Sequence, residues 1–108
     1  MLEKNIEFYL KTRVEKILKG KCYKFVSPGC NGVPDRIVIV PGGKVYFVET
    51  KQEKGKLREL QKYRHNEIKD LGGRVFSVFT YADVVKFVDF LKDELNEVHS
   101  KTIPEQDN

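Results

Sequence analysis

The 108 residues suffice for one ordinary domain of about 100–150 residues and exclude a two-domain enzyme. Hydrophobic residues at 40% and charged residues at 33%, with seven Phe and five Tyr, exclude a disordered, collagenous or low-complexity chain. Twenty Lys and Arg against sixteen Asp and Glu leave a formal charge of +4, which permits a polyanionic partner without requiring one.

Ile6, Leu10, Val14, Ile17 and Leu18 trace one face of a helix over residues 3–19, and Gly20 stops it. Three β-like runs follow at 22–26, 35–40 and 44–51. The stretches Ser27-Pro-Gly-Cys-Asn-Gly32 and Pro41-Gly-Gly43 part them, so they read as an antiparallel meander. Leu57, Leu60, Tyr63, Ile68 and Leu71 mark a second helix closed by Gly72-Gly73, and residues 74–79 form a fourth strand. Strand, helix, strand implies a crossover and a parallel pair. Thr80 suits the N-cap of a last helix with Val84, Val88, Leu91 and Leu95 on one face. The order is αβββαβα, an α/β domain over 1–99 without repeat or linker, and the polar residues 100–108 are expected to be a mobile tail.

The apolar runs within 36–40 and 45–48 fall far short of the roughly 18 residues of a membrane span, and the residues after Met1 lack an apolar signal core. A soluble cytoplasmic protein with no membrane partner is expected. Cys22 and Cys30 lack C-x-x-C spacing and read as reduced thiols, not as a disulfide framework or zinc site. His65 and His99 are the two histidines and neither has the sequence neighbours of a ligand cluster, so any metal is expected to be held through oxygen.

Polar side chains that interrupt apolar stripes are costly unless paired, which makes them informative. Alternation along the third strand sets Val45, Phe47, Glu49 and Lys51 on one face, a carboxylate beside an ammonium. The plain alternative is a surface ion pair at a fraying strand end. Asp35 opens the second strand after Pro34. A two-residue Gly42-Gly43 turn pairs it with Thr50, whereas a three-residue connection over 41–43, or a bulge, pairs it with Glu49. Asp35 as a simple turn cap is the competing reading. At about 100° per residue Gln61 falls in the middle of the second helix's apolar stripe, either as a satisfied core amide or beside the acids. The same arithmetic puts Glu7 at the inward edge of the first helix. Glu3 lies on that side too, but at the helix start, where an acid suits the dipole.

Carboxylates with an adjacent lysine serve phosphodiester hydrolysis when a hard cation does the electrostatic work. In that arrangement Asp35 and Glu49 hold Mg²⁺ or Mn²⁺, joined by the Thr50 backbone carbonyl, with Glu7 reaching the ion weakly or through water. Lys51 orients the attacking water or stabilises the developing phosphorane charge, and Gln61 places Lys51 or the nucleophile.

Pro34-Asp35 followed by Glu49-Thr50-Lys51 resembles the PD-(D/E)XK nucleases. Lys24-Phe-Val-Ser-Pro28, Gly32-Val-Pro-Asp-Arg36, Val45-Tyr-Phe-Val-Glu-Thr-Lys51, Gly55-Lys-Leu57 and Gln61 resemble their VRR-NUC branch, over about residues 6–79. The resemblance is to its stand-alone, phage or bacterial-type members. It implies a restriction-endonuclease-like fold, an αβββαβ core with a mixed four-stranded sheet plus a C-terminal helix. It also implies a divalent-metal nuclease with metal ligands at Asp35 and Glu49, the catalytic lysine at Lys51, the first-helix acid at Glu7 (Glu3 being the conceivable substitute) and a functional glutamine at Gln61. For the stand-alone type it implies a homodimer that cuts branched DNA such as four-way junctions, working in a bacterial host cell if phage-encoded, without a small-molecule cofactor.

Lys24, Arg36, Lys54, Lys56, Arg58, Lys62 and Arg64 surround these positions in sequence, and of them Lys24, Lys54 and Lys56 are expected to hold DNA backbone. The chain has no helix-turn-helix or zinc module, which points to recognition of DNA shape over sequence. Phe87 and Phe90 flank the last helix's stripe, either filling a small core or forming a two-fold interface. The competing functions are a catalytically silent DNA-binding module of the same fold and a plain interaction protein. RNA remains an alternative substrate, because nothing in the motif reads a 2′-hydroxyl.

Overall fold

The computed structural model describes residues 2–106, with side chains described as far as Asn96. Its elements are α1 (Glu3–Ile17), β1 (Lys21–Lys24), β2 (Arg36–Val40), β3 (Lys44–Thr50), α2 (Glu59–Asp70), β4 (Val75–Val78) and α3 (Tyr81–Gln106), the order read from the sequence. The backbone of α3 is helical past residue 100. The side chains of the expected tail at 100–108 lie outside the described residues.

One sheet of order β1-β2-β3-β4 carries the fold. β1–β2 and β2–β3 pair antiparallel and β3–β4 pair parallel, as the crossover required. Val40 sits opposite Lys44, so the hairpin closes over the three residues 41–43, with Gly42 and Gly43 at positive φ. Arg36 then lies opposite Val48, and one step further along the ladder Asp35 falls opposite Glu49. The register sets Asp35 level with Glu49 along the ladder, although the Asp35 side chain turns to Thr50.

The even-numbered face of the sheet makes the core. Val38, Val40, Tyr46, Val48 and Val78 are buried there against Ile6, Leu10, Val14 and Leu18 of the α1 segment and Val84, Phe87, Val88 and Leu91 of α3. α3 starts on a reciprocal cap, in which Thr80 Oγ1 accepts from the Asp83 N–H and Asp83 Oδ2 accepts from the Thr80 and Phe79 N–H groups. The Thr80 cap is where the sequence placed it. α1 ends in a bond from the Gly20 N–H to the Val14 carbonyl six residues back, with Lys19 in the left-handed region at φ 57°.

The β3 face shared by Val45, Phe47 and Glu49 lies away from the core; Tyr46, Val48 and Thr50 occupy the core side and Val45 is 41% exposed. One expectation is corrected. The α2 stripe is not leucine-based. Leu60, Tyr63 and Leu71 are exposed, while Gln61, Arg64, His65 and Ile68 turn inward. Of the two readings of Phe87 and Phe90, core filling holds for Phe87, while Phe90 stays exposed.

α2 is held over the odd-numbered sheet face only at the Glu49 end. Arg64 Nε donates to the Asn31 carbonyl at 2.9 Å, and Gly32, at φ 90°, passes so close that a Cβ there would stand 2.8 Å from the Leu60 carbonyl oxygen. A side chain at Gly32 is excluded twice over, by the backbone and by the helix.

Candidate active site

The acids meet where β2 begins and β3 ends. Asp35 is fixed by one residue: Oδ1 accepts the Thr50 N–H at 2.8 Å and Oδ2 accepts the Thr50 hydroxyl at 2.5 Å. Burial pushes the Asp35 carboxyl above the usual range, and these two bonds oppose the shift. Thr50 therefore engages the site through its side chain as well as its backbone.

Glu49 is 4% exposed and points from the opposite face of β3, under α2. Its Oε2 accepts from Gln61 Nε2 at 3.2 Å and lies 3.9 Å from Lys51 Nζ. Its Oε1 is buried without a hydrogen-bond partner, 3.7 Å from His65 Nε2, which is likewise buried and unpartnered. Burial first, and the Asp35 charge second, push the Glu49 carboxyl up to about 7, with Lys51 opposing. Burial, together with the Lys69 and Lys51 charges, pushes the His65 imidazole down.

Gln61 is used at both ends. While its amide nitrogen donates to Glu49, its Oε1 accepts the Arg58 N–H at 2.9 Å and closes the first turn of α2. The inward position read for Gln61 is observed. His65 was not singled out, although it lies four residues on and therefore on the same helix face. The signal was that Gln61-x-x-x-His65 spacing, masked by leucines that turned out to face water.

Glu7 comes in from α1 as its place on the helix implied. Its Oε2 is paired with Arg36 at 2.5 Å, and its Oε1 lies 3.4 Å from the Thr50 hydroxyl, whose single proton is already committed to Asp35. Glu3 is exposed, yet its charge adds to the repulsion felt by Glu49. Lys24, Lys54 and Lys56 are exposed; Lys24 borders a cleft with Arg36, and the other two lie on the 51–58 connection into α2.

Among the described residues no three His, Cys, Asp or Glu side chains converge into a metal cage. Asp35 and Glu49 are together, and Glu7 is turned to Arg36. The donor set still fits a hard cation. The Asp35 charge reaches Glu49 and helps to raise its pKa, and the buried Glu49 Oε1 has no hydrogen-bond partner, the condition that a positive ion relieves.

No protein-family model matches the chain. Over 73 residues, 68% of this chain and 77% of the relative, it is 47% identical to "Putative nuclease p44" of Acyrthosiphon pisum secondary endosymbiont phage 1. A solved structure described as "VRR_NUC domain" matches with a TM-score of 0.75 and 34% sequence identity, over 81% of this chain and 94% of that one. With its mixed sheet and paired acids, the chain belongs to the VRR-NUC family.

Proposed function

We propose that the protein is a divalent-metal-dependent endodeoxyribonuclease, a phosphodiester hydrolase selective for branched DNA such as four-way junctions or flaps. The observation that carries this reading is the buried, half-satisfied Glu49 carboxylate against Asp35, with Lys51 and Gln61 at its other oxygen. The likeness to a phage nuclease supports it.

In this reading Asp35 and Glu49 would hold Mg²⁺ or Mn²⁺ with the Thr50 carbonyl, and Glu7 would serve weakly from α1. What such an ion supplies when bound is acidification of water and positive charge against the phosphate. The protein's own groups do the rest. Gln61 keeps the Glu49 carboxylate from rotating through its bond to Oε2. Lys51 orients the attacking water and faces the negative charge that builds as the new P–O bond forms and the ester P–O bond breaks. Lys24, Lys54 and Lys56 hold backbone phosphates. We also infer a homodimer, whose two sites would cut a junction symmetrically, acting in the cytoplasm of a bacterial host. No helix among the described residues is long and apolar enough to cross a membrane.

The test is cleavage of end-labelled four-way junction, flap, duplex and single-stranded DNA with Mg²⁺, Mn²⁺ or EDTA. Metal-dependent cutting of branched DNA is expected. Asp35→Ala and Lys51→Ala should each lower it by about a thousandfold or more while DNA binding persists. Binding without cutting in either metal makes the protein a silent DNA-binding module.

A further inference from the structure

A cleft of about 410 Å³ lies between α1 and the edge strand β1, and Glu7 lines it at the end nearest the other acids. Lys4, Phe8 and Lys11 line it from α1, where their spacing of four and three sets them on one helix face, and Lys24 lines it from β1. Arg36, also lining the cleft, is paired with Glu7, and Glu7 approaches the Thr50 hydroxyl that holds Asp35. The cleft therefore adjoins the acids through Glu7, with Thr50 standing between Glu7 and Asp35.

Its composition is specific. Among the described residues Lys4, Lys11 and Lys24 take part in no ion pair, so three ammonium groups surround the space uncompensated. Phe8, between two of them, is 72% exposed, more than any other described aromatic. A phenyl ring set in water among lysines does nothing for the core. It suits a ligand that is both anionic and flat-faced. A duplex hides its base faces in its own stack, whereas an unpaired strand presents phosphates and free base faces together, the combination that basic grooves with an aromatic platform bind. The volume is that of a small-ligand pocket, room for a nucleotide and not for a double helix.

We propose that this cleft binds a single-stranded segment of DNA, with phosphates on Lys4, Lys11 and Lys24 and one unpaired base stacked on Phe8. The proposal rests on the nuclease reading of the neighbouring acids and specifies the substrate feature that reading leaves open: of the branched DNAs, those with a single-stranded arm, such as a flap, are engaged through that arm, whereas a fully paired four-way junction offers the cleft nothing.

The experiment is fluorescence anisotropy of the full chain in EDTA at fixed low salt, with labelled oligo(dT) and a labelled blunt duplex of equal length. Phe8→Ala should weaken oligo(dT) binding about tenfold, in the range of a lost base stack, and leave duplex binding within about twofold. Phe8→Tyr should retain oligo(dT) binding. Because Phe8 is exposed, the variants should melt as the wild type does, checked on the same samples. Unchanged oligo(dT) affinity in Phe8→Ala, or an equal loss on both DNAs, overturns the proposal. A wild type that cuts no DNA in Mg²⁺ or Mn²⁺ overturns the nuclease reading instead, and the metal-free binding ratio reports on the cleft alone.

Discussion

Glu49 is a residue whose ionisation the fold opposes. A carboxyl pushed up to about 7 from 4.5 binds its proton more tightly in the folded chain than in the unfolded one. The stability that the protonated acid contributes is thus complete below about pH 4.5 and is lost as pH rises through about 7. Glu49→Gln keeps the shape without the charge. In EDTA the variant should melt several degrees above the wild type at pH 8, with the gap closing at pH 5. Millimolar Mg²⁺ should then raise the wild-type melting temperature at pH 8 and leave the variant's unmoved. At this scale the sequence was legible wherever a period fixed the geometry. Asp35 and Glu49 followed from a three-residue hairpin connection, and Gln61 from helical arithmetic. His65 was not, because the helix phase was anchored on Leu60 and Leu71, which the structure leaves in water.

Among the elements, α1 and α2 show opposite economies. α1 is held by a continuous apolar stripe, yet it ends on a lysine where glycine is the natural occupant, since a Cβ crowds the carbonyl at positive φ. Lys19→Gly should stabilise the protein by about 0.5–1 kcal/mol, read as a shift of the urea midpoint without a change of slope. α2 has His65 as its one buried residue and is fastened by polar bonds to Glu49 and Asn31. Its existence and limits were nearly legible in the sequence, from Gly55 before it and Gly72-Gly73 after. Its orientation was not, because a helix docked through an amide and an imidazole leaves no hydrophobic period to read. The strand order and the parallel β3–β4 pair were legible, since connection lengths alone decide between hairpin and crossover.

At the scale of the molecule, the two faces of the sheet are unequal. α1 and α3 close the even face, whereas the odd face beyond α2 is open, with Tyr23, Ile39 and Val45 exposed and Ile37 and Phe47 half-buried along adjoining rows. Apolar side chains standing in rows on an uncovered sheet suit a second copy better than water. This surface, more than Phe90, is where the proposed homodimer should form. Ile39→Lys combined with Val45→Lys should convert a dimer to a monomer by light scattering while preserving the far-ultraviolet circular dichroism. A wild type that is monomeric at tens of micromolar excludes the dimer. Which face would be closed was not legible, because both faces of β2 and β3 are apolar in sequence and only the packing of α1 and α3 chooses between them.

Gln61 makes one amide answer to two masters. Its oxygen is the fastening of the first turn of α2 and its nitrogen steadies the Glu49 carboxylate, and a planar amide cannot turn toward one without turning from the other. Fraying of that first turn therefore withdraws support from the acid in the same motion. The short connection over residues 52–57 becomes a tensioner: lengthening it should slacken the hold on Glu49 while Asp35, Glu49 and Lys51 themselves stay unaltered.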